Sequence, residues 1–568
     1  MTNNIRVFLW LAVALALWLN YSQWQIDYGA KPAPATADAT DSTGAPKPSD
    51  IADAVPQVTQ PAAEAPASTD AVPAVAQQAA AGPDIETAKT NKIRVTTDVL
   101  VLDISLTGGT LVRAELPGYP IVKGQPAPVV LFNTDLPSTN YVLRTGLASS
   151  DDPNGPSHLA TFTAPADSYT LAPGQDELRV PLTWTDGKGI TVTKTFVFKR
   201  SLFAIDLEYQ IVNATQTPWH AVSYARIVRS DPPVERSMFK VESYATRGPA
   251  FGEGDKYRKL NIEKTDDATL SIKVTNGWIA GIQHHFVSAV VPDHTSPHTF
   301  TMGVKGREYV LTSLSEVQTV APGTTKTLKE ALFVGPKLQK QLDTLHPELS
   351  RVADYGALTL LSRPLFWLLD QAHSIVKNWG LAIILVTFLL KLLFYPLSEK
   401  AGRSMGKMRA LAPRMKILQE TYKDDRTKLG QATMELYKTE KVNPLAGCLP
   451  MIIQMPVFLA FYWVLLESVE MRQAPFFGWI NDLSARDPFF ILPVLNGLAM
   501  WGQSKLNPPP PDPVQARIFQ LMPIVFSVMF ALFPAGLVLY WVTNTGLSIL
   551  QQWNINRKIA AEDKARKK

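Results

Sequence analysis

Leu381-Ala382-Ile383-Ile384-Leu385-Val386-Thr387-Phe388-Leu389-Leu390-Lys391-Leu392-Leu393-Phe394-Tyr395 reads as the body of a bilayer-crossing segment with one cation, Lys391, set inside it. A charge at membrane depth costs about 2.5 to 3.5 kcal/mol on insertion scales, so it usually faces a bundle interior or a wet cavity. Snorkelling is the alternative. Pro396 lies five residues on, about 7 Å along a helix, so the lysine stem could carry its ammonium to the headgroups. Thr387, one turn earlier on the same face, offers a second polar group and favours a cavity lining.

Outward from this segment the chain of 568 residues divides into apolar blocks and a long polar middle, so its near-zero mean hydropathy conceals two parts. The only cysteine, Cys448, falls in an apolar span, which excludes an intrachain disulfide and disfavours thiolate metal clusters. The net charge of +5 is modest, and its basic residues gather around the hydrophobic segments near the C-terminus. That distribution fits membrane topology better than a nucleic-acid patch, and no specific nucleic-acid sequence is expected as a partner.

Residues 1–27 read as an uncleaved membrane anchor: Ala14-Leu15-Ala16 resembles a signal-peptide cleavage site, but the apolar run continues through Leu17, Trp18 and Leu19. Residues 28–90, rich in Ala and Pro and nearly devoid of aromatics, cannot bury a core and read as a disordered tether. Over 91–345 the pattern alternates with period two. Ile93, Val95, Val99 and Val101 share one phase, and Phe203, Ile205, Leu207, Tyr209 and Ile211 another. Turn signals at Asp186-Gly187 and Asn276-Gly277 complete the reading of a large all-β sandwich. Residues 346–379 suggest an amphipathic interfacial helix around Phe366 to Val376, followed by span 2 at 380–398, a cytoplasmic helical hairpin at 399–443, spans 3 to 6 within 444–554 and a basic tail at 555–568.

The predicted fold is thus an α-helical polytopic membrane protein of six spans, five of them C-terminal. Eleven Lys and Arg residues between Lys400 and Lys441 put the hairpin and both termini in the cytoplasm. The β-domain then lies on the outer side, the periplasm of a cell with two membranes. Within the hairpin, Met405, Met408, Leu411, Met415 and Leu418 recur as one helix, and Asp424 and Asp425 precede a second that carries Met434. These methionines either pack the two helices together or offer an adaptable surface for apolar substrate segments.

Catalytic and ligand motifs are weak. Gly402-Arg403-Ser404-Met405-Gly406-Lys407 has one residue too few between its glycines for a phosphate loop and no preceding strand. His284 and His285, adjacent in a strand, would point to opposite faces, and His294 and His298 have no third ligand beside them. No cofactor or metal is expected.

Asn443-Pro444-Leu445-Ala446-Gly447-Cys448-Leu449-Pro450, Gln454-Met455-Pro456-Val457-Phe458, the stretch Val469 to Phe476, and Phe533-Pro534-Ala535-Gly536-Leu537-Val538-Leu539-Tyr540-Trp541 resemble the YidC family of membrane protein insertases. The resemblance implies a non-enzymatic insertase and chaperone, with a hydrophilic groove open to cytoplasm and lipid and a positive charge at its centre. Lys391 occupies that position, where the family more often has arginine. Lysine keeps the charge and loses the planar fork. Candidate groove residues beside it are Thr387, Gln454, Asn496, Gln503, Tyr540, Trp541, Asn544 and Ser548, and candidate receiving residues in the hairpin are Met405, Met408, Met415 and Met434. The implied partners are nascent membrane proteins, the Sec translocon, the ribosome and the lipid bilayer. Two other classes remain open on the residues alone: a transporter binding an anionic solute at Lys391, against which stands the absence of an internal repeat, and a sugar-processing enzyme, for which no paired carboxylates can be assigned.

Overall fold

The computed structural model describes residues 53–56, 91–233, 243, 245–254, 256–422, 425–440, 449–506 and 513–566. The expected anchor lies outside the described residues, as does the expected tether apart from residues 53–56.

The strands run β1 (Lys92–Thr96), β2 (Val101–Ser105), β3 (Thr110–Pro120), β4 (Pro128–Val130), β5 (Tyr141–Ser149), β6 (Ser168–Thr170), β7 (Glu177–Thr185), β8 (Ile190–Lys199), β9 (Ala204–Asn213) and β10 (Trp219–Ser230). They continue as β11 (Arg247–Glu253), β12 (Lys256–Lys259), β13 (Ser271–Val274), β14 (Gly277–Gln283), β15 (Phe286–Val291), β16 (His298–Lys305), β17 (Glu308–Ser315), β18 (Gln318–Val320) and β19 (Thr324–Pro336). One sheet has the order β13-β16-β17-β10-β5-β3-β2-β1-β6, with β18 beside β10 and β4 beside β3. The other is β12-β11-β14-β15-β19-β9-β8-β7. Their inner faces share one apolar core, which is the expected sandwich.

The alternation of Phe203, Ile205, Leu207, Tyr209 and Ile211 is borne out, for all five are buried. The first strand reading needs a correction. Ile93 and Val95 are buried, but Thr97 Oγ1 accepts the Leu100 N–H at 2.9 Å and turns the chain, so the core phase passes to Leu100, Leu102 and Ile104 instead of Val99 and Val101. Asp186 accepts three backbone N–H groups in the β7–β8 turn, whereas Asn276 connects β13 in one sheet to β14 in the other. His284 and His285 sit in a turn, not a strand, with their rings stacked 3.6 Å apart. Within the core, Lys194 of β8 is fully buried and donates to the carbonyls of Gly108, Gly109 and Thr145 at 2.8, 3.3 and 2.9 Å, tying one sheet to the other.

Besides a single helical turn at Thr265–Ala268 within the sandwich, the helices include α1 (Gln339–Leu345), α2 (Thr359–Val376), α3 (Trp379–Leu393), α4 (Tyr395–Ala410), α5 (Ala412–Thr421), α6 (Arg426–Thr439), α7 (Leu449–Glu467), α8 (Ile491–Leu506), α9 (Pro513–Phe530) and α10 (Ala535–Arg566). Among the described residues no single helix is long and apolar enough to cross a membrane. Trp379–Leu393 and Tyr395–Met408 pass together as a pair bent by 61°. Span 2 was expected over 380–398; the structure ends α3 at Leu393, and Pro396, which lacks an N–H, lies just inside the start of the next helix. Pro413 does the same at α5, so the expected helix through Met405 and Leu418 breaks at Leu411. The amphipathic helix begins earlier than expected, at Thr359, with Pro364 inside it. The tail at 555–568 is not a separate element: α10 continues as helix to Arg566.

The two halves meet in a polar seam. Lys337, one residue beyond β19, and Glu467, the last residue of α7, are both 0% exposed and pair at 2.7 Å. The Thr246 N–H donates to Glu467 Oε1 at 2.8 Å, Lys337 Nζ also donates to the Val352 carbonyl at 3.3 Å, and His284 Nε2 donates to the Leu466 carbonyl at 3.0 Å. Burial holds His284 down to about 4, so it stays neutral there. At the rim Lys123 Nζ reaches the carbonyls of Gln473 and Asn481 at 2.8 and 2.6 Å, and Arg472 reaches the Pro120 carbonyl at 2.6 Å.

A buried pair broken on one side leaves an uncompensated charge, so Lys337→Met alone should cost about 3 to 5 kcal/mol in thermal unfolding of the detergent-solubilised protein. The double variant Lys337→Met with Glu467→Leu should recover most of that loss. Recovery of none would show that the pair is not what joins the halves. Beside it, the Glu470 carboxyl has an oxygen buried without a hydrogen-bond partner, and burial pushes it up to about 7. An acid raised in the folded state loses stability as pH rises from about 4.5 through 7. Glu470→Gln should therefore stabilise by about 2 kcal/mol at pH 8 and change little at pH 4.5, as read by unfolding at both values.

Candidate functional site: a lysine-centred cavity

Three helices converge on Lys391. On α3, Thr387 and Lys391 lie one turn apart; on α10, Tyr540, Asn544 and Ser548 form a stripe of the same spacing; α7 contributes Gln454. A cavity of about 50 Å³ is lined by Thr387, Lys391, Ser398, Gln454, Tyr540 and Asn544 among apolar neighbours. Lys391 Nζ donates to Ser548 Oγ at 2.8 Å and to Gln454 Oε1 at 3.4 Å. Gln454 Nε2 donates to Asn544 Oδ1 and, at 3.4 Å, to the Tyr540 hydroxyl. Ser548 Oγ donates to the Asn544 carbonyl at 2.7 Å, which leaves its lone pairs to accept from the lysine. Thr387 spends its hydroxyl proton on the Ile383 carbonyl at 2.6 Å.

Among the described residues no carboxylate pairs with Lys391; its partners are neutral oxygens. A cation held by neutral acceptors keeps a net field in the cavity, available to an incoming anion or polar segment.

The structure brings together Lys391, Thr387, Gln454, Tyr540, Asn544 and Ser548, and leaves the other three candidates apart. Asn496 is fully buried in the packing of α8 against α10, where it accepts from Thr545 Oγ1 at 3.3 Å. Gln503 is half-buried on α8 and does not line the cavity. Trp541 packs between Phe458 and Phe530, at ring-centre distances of 4.9 and 5.3 Å. Sequence reasoning missed Ser398, although Thr387, Lys391, Phe394 and Ser398 recur at helical spacing. Of the hairpin methionines, Met408 is half-buried on α4, Met415 is buried on α5 and Met434 is half-buried on α6; the side chain of Met405 lies outside the described set.

Gly402 and Gly406, set aside above as a failed phosphate loop, have a packing role. A Cβ on Gly402 would meet Ile555 Cγ2 at 2.9 Å, and one on Gly406 would meet Ile559 Cδ1 at 2.9 Å. The glycines let α4 lie close against α10, and Arg403, between them, forks onto Glu562 at 2.8 and 3.0 Å. The histidine expectations carry no metal constellation: no group of three or more ligating side chains occurs among the described residues.

Two family models match the chain: the YidC periplasmic domain over residues 92–368 and the 60Kd inner membrane protein family over residues 371–563. The chain is 46% identical to the membrane protein insertase YidC of Thioalkalivibrio sulfidiphilus over 100% of both chains. It is 43% identical to that of Nitrosococcus oceani over 99% of this chain and 100% of the relative. A solved YidC insertase structure aligns over 82% of this chain and 92% of its own at 19% identity and a TM-score of 0.38; the family assignment rests on the sequence matches alone. They define a membrane protein insertase of the inner membrane, with a periplasmic domain and no enzymatic activity. The chain belongs to the YidC family, and its substrates are nascent membrane proteins.

Gly402→Ile should force α4 off α10 at a cost of about 1 to 3 kcal/mol. Gly406→Ala, which meets only the flexible end of Ile559, should be tolerated. Limited proteolysis of the helix Tyr395–Ala410 reads the difference, and equal resistance in both variants would exclude the close approach.

Proposed function

We propose that the Lys391 cavity receives the short polar or acidic outer segment of a nascent membrane protein and shortens the hydrocarbon barrier it must cross. The observation that carries this reading is the cation itself, held on an apolar helix by neutral acceptors from two other helices and by no carboxylate among the described residues. The adjoining apolar segment then slides into lipid, and its transfer supplies the free energy, since about 20 apolar residues prefer the bilayer.

In this reading the chain crosses the inner membrane six times with both termini and the hairpin in the cytoplasm, and five C-terminal spans form the core. Support comes from the exposed apolar side chains of α3, α8 and α9, among them Leu393, Leu498, Ile524 and Val528, which suit lipid contact. The basic residues between Lys400 and Lys441 support the orientation. The helical pair α5 and α6 is the part of the hairpin that receives an emerging chain. Its basic surface suits a ribosome-borne partner, and the Sec translocon is a further partner that membership of the family suggests.

Lys391→Ala should lower insertion of an acidic-tailed client into reconstituted vesicles roughly three- to tenfold, whereas Lys391→Arg should preserve it, because the required property is positive charge in a wet groove. Wild-type rates in Lys391→Ala would sink the proposal.

A further inference from the structure

Residues 53–56, Asp-Ala-Val-Pro, lie seated on the periplasmic sandwich far along the chain from its first strand. Arg144 of β5 pairs with the Asp53 carboxylate. Arg226 of β10, nearly buried and braced by Thr312 Oγ1 at 3.3 Å, donates to the Ala54 carbonyl. Val55 packs against an apolar cluster of Ala148, Val222 and Tyr224, together with Val317. Pro56 follows, a residue with no backbone N–H to satisfy. Carboxylate, carbonyl and apolar side chain are thus each read by a different group, at three successive residues, in a stretch whose composition alone predicts no fixed structure.

The same tetrapeptide occurs again. Asp70-Ala71-Val72-Pro73 repeats Asp53-Ala54-Val55-Pro56, and the match extends to a valine two residues after each proline, Val58 and Val75.

We propose that this face of the sandwich is a peptide-binding site for Asp-Ala-Val-Pro and that the two copies in the chain's own N-terminal segment compete for it. Each copy carries every element that the site contacts, so the second can replace the first without any change in the sandwich. The exchange alters the free length on either side of the clasp. Moving from one copy to the other transfers about 17 residues to the stretch between the clasp and residue 27, and at about 3.1 Å per extended residue this is a change in reach of roughly 50 Å. The site thereby offers two limits to the reach between the sandwich and the N-terminal segment.

The test uses the full-length protein in nanodiscs and a fluorescein-labelled peptide of sequence Thr-Asp-Ala-Val-Pro-Ala-Val, read by anisotropy. Both internal copies are disabled together by Asp53→Ala, Val55→Ser, Asp70→Ala and Val72→Ser, none of which alters the sandwich itself. The peptide should bind this chain saturably, and a control peptide with Asn for Asp and Ser for the first Val should bind at least about tenfold more weakly. Restoring either copy alone should then raise the peptide's apparent Kd about tenfold or more, because a tethered competitor acts at millimolar effective concentration. No binding to the doubly disabled chain, or equal binding of the control peptide, overturns the site. Competition from the 53–56 copy and none from the 70–73 copy overturns the exchange.

Discussion

The buried ion pair between Lys337 and Glu467 is the constraint on which the arrangement of the two halves depends. Two charges taken out of water cost several kcal/mol each, and their attraction offsets this only when the remaining hydrogen-bonding capacity is also met. Here it is: the Thr246 N–H and the Val352 carbonyl serve the carboxylate and the ammonium. The sandwich and the helices therefore cannot shift past one another by small steps, because any displacement strands a charge. Glu467 also ends the helix that carries Gln454, thirteen residues earlier and about 20 Å away along the axis. The seam and the cavity share one helix.

The sandwich is also joined to the helices on its C-terminal side. The long Ala/Pro-rich segment still separates it in sequence from the N-terminus, but on its C-terminal side the chain passes from β19 directly into the seam, and residues 120 to 123 grip the loop after α7. The rim contacts are exposed and individually weak, so they orient what the buried pair fixes.

Much of this was legible in the sequence where a period carries the signal. Alternation exposed the strand Phe203 to Ile211, and helical spacing linked Thr387 to Lys391, since each set lies on one element and answers to one geometry. What was not legible depends on partners far apart in the chain. Lys337 and Glu467 are separated by 130 residues and each looks like an ordinary surface charge in its local sequence. Asn496 and Asn544 are both polar residues in apolar helices, yet one pairs with Thr545 to pack helices and the other lines the cavity; only the rotation of α8 against α10 distinguishes them. The glycines at 402 and 406 were rightly set aside as a phosphate loop, but their packing use could not be read locally, because it lies in the isoleucines of a helix about 150 residues later.

That helix, α10, touches each of these parts. At its start the Ala535 and Gly536 N–H groups, left over by helix geometry, are taken up by the carbonyls of Ala485 and Leu483 in the outer loop. In its middle Tyr540, Asn544 and Ser548 face Lys391, and towards its end Ile555, Ile559 and Glu562 hold α4, which leads to the hairpin. At 32 residues it is about 48 Å long. Lys391 of α3 thus meets a helix anchored at both ends, and α3 itself stops at Phe394 before α4 begins. With α4 held by its glycines and the start of α10 held by its loop, the 61° bend between α3 and α4 sets the direction in which the chain leaves the cavity for the hairpin.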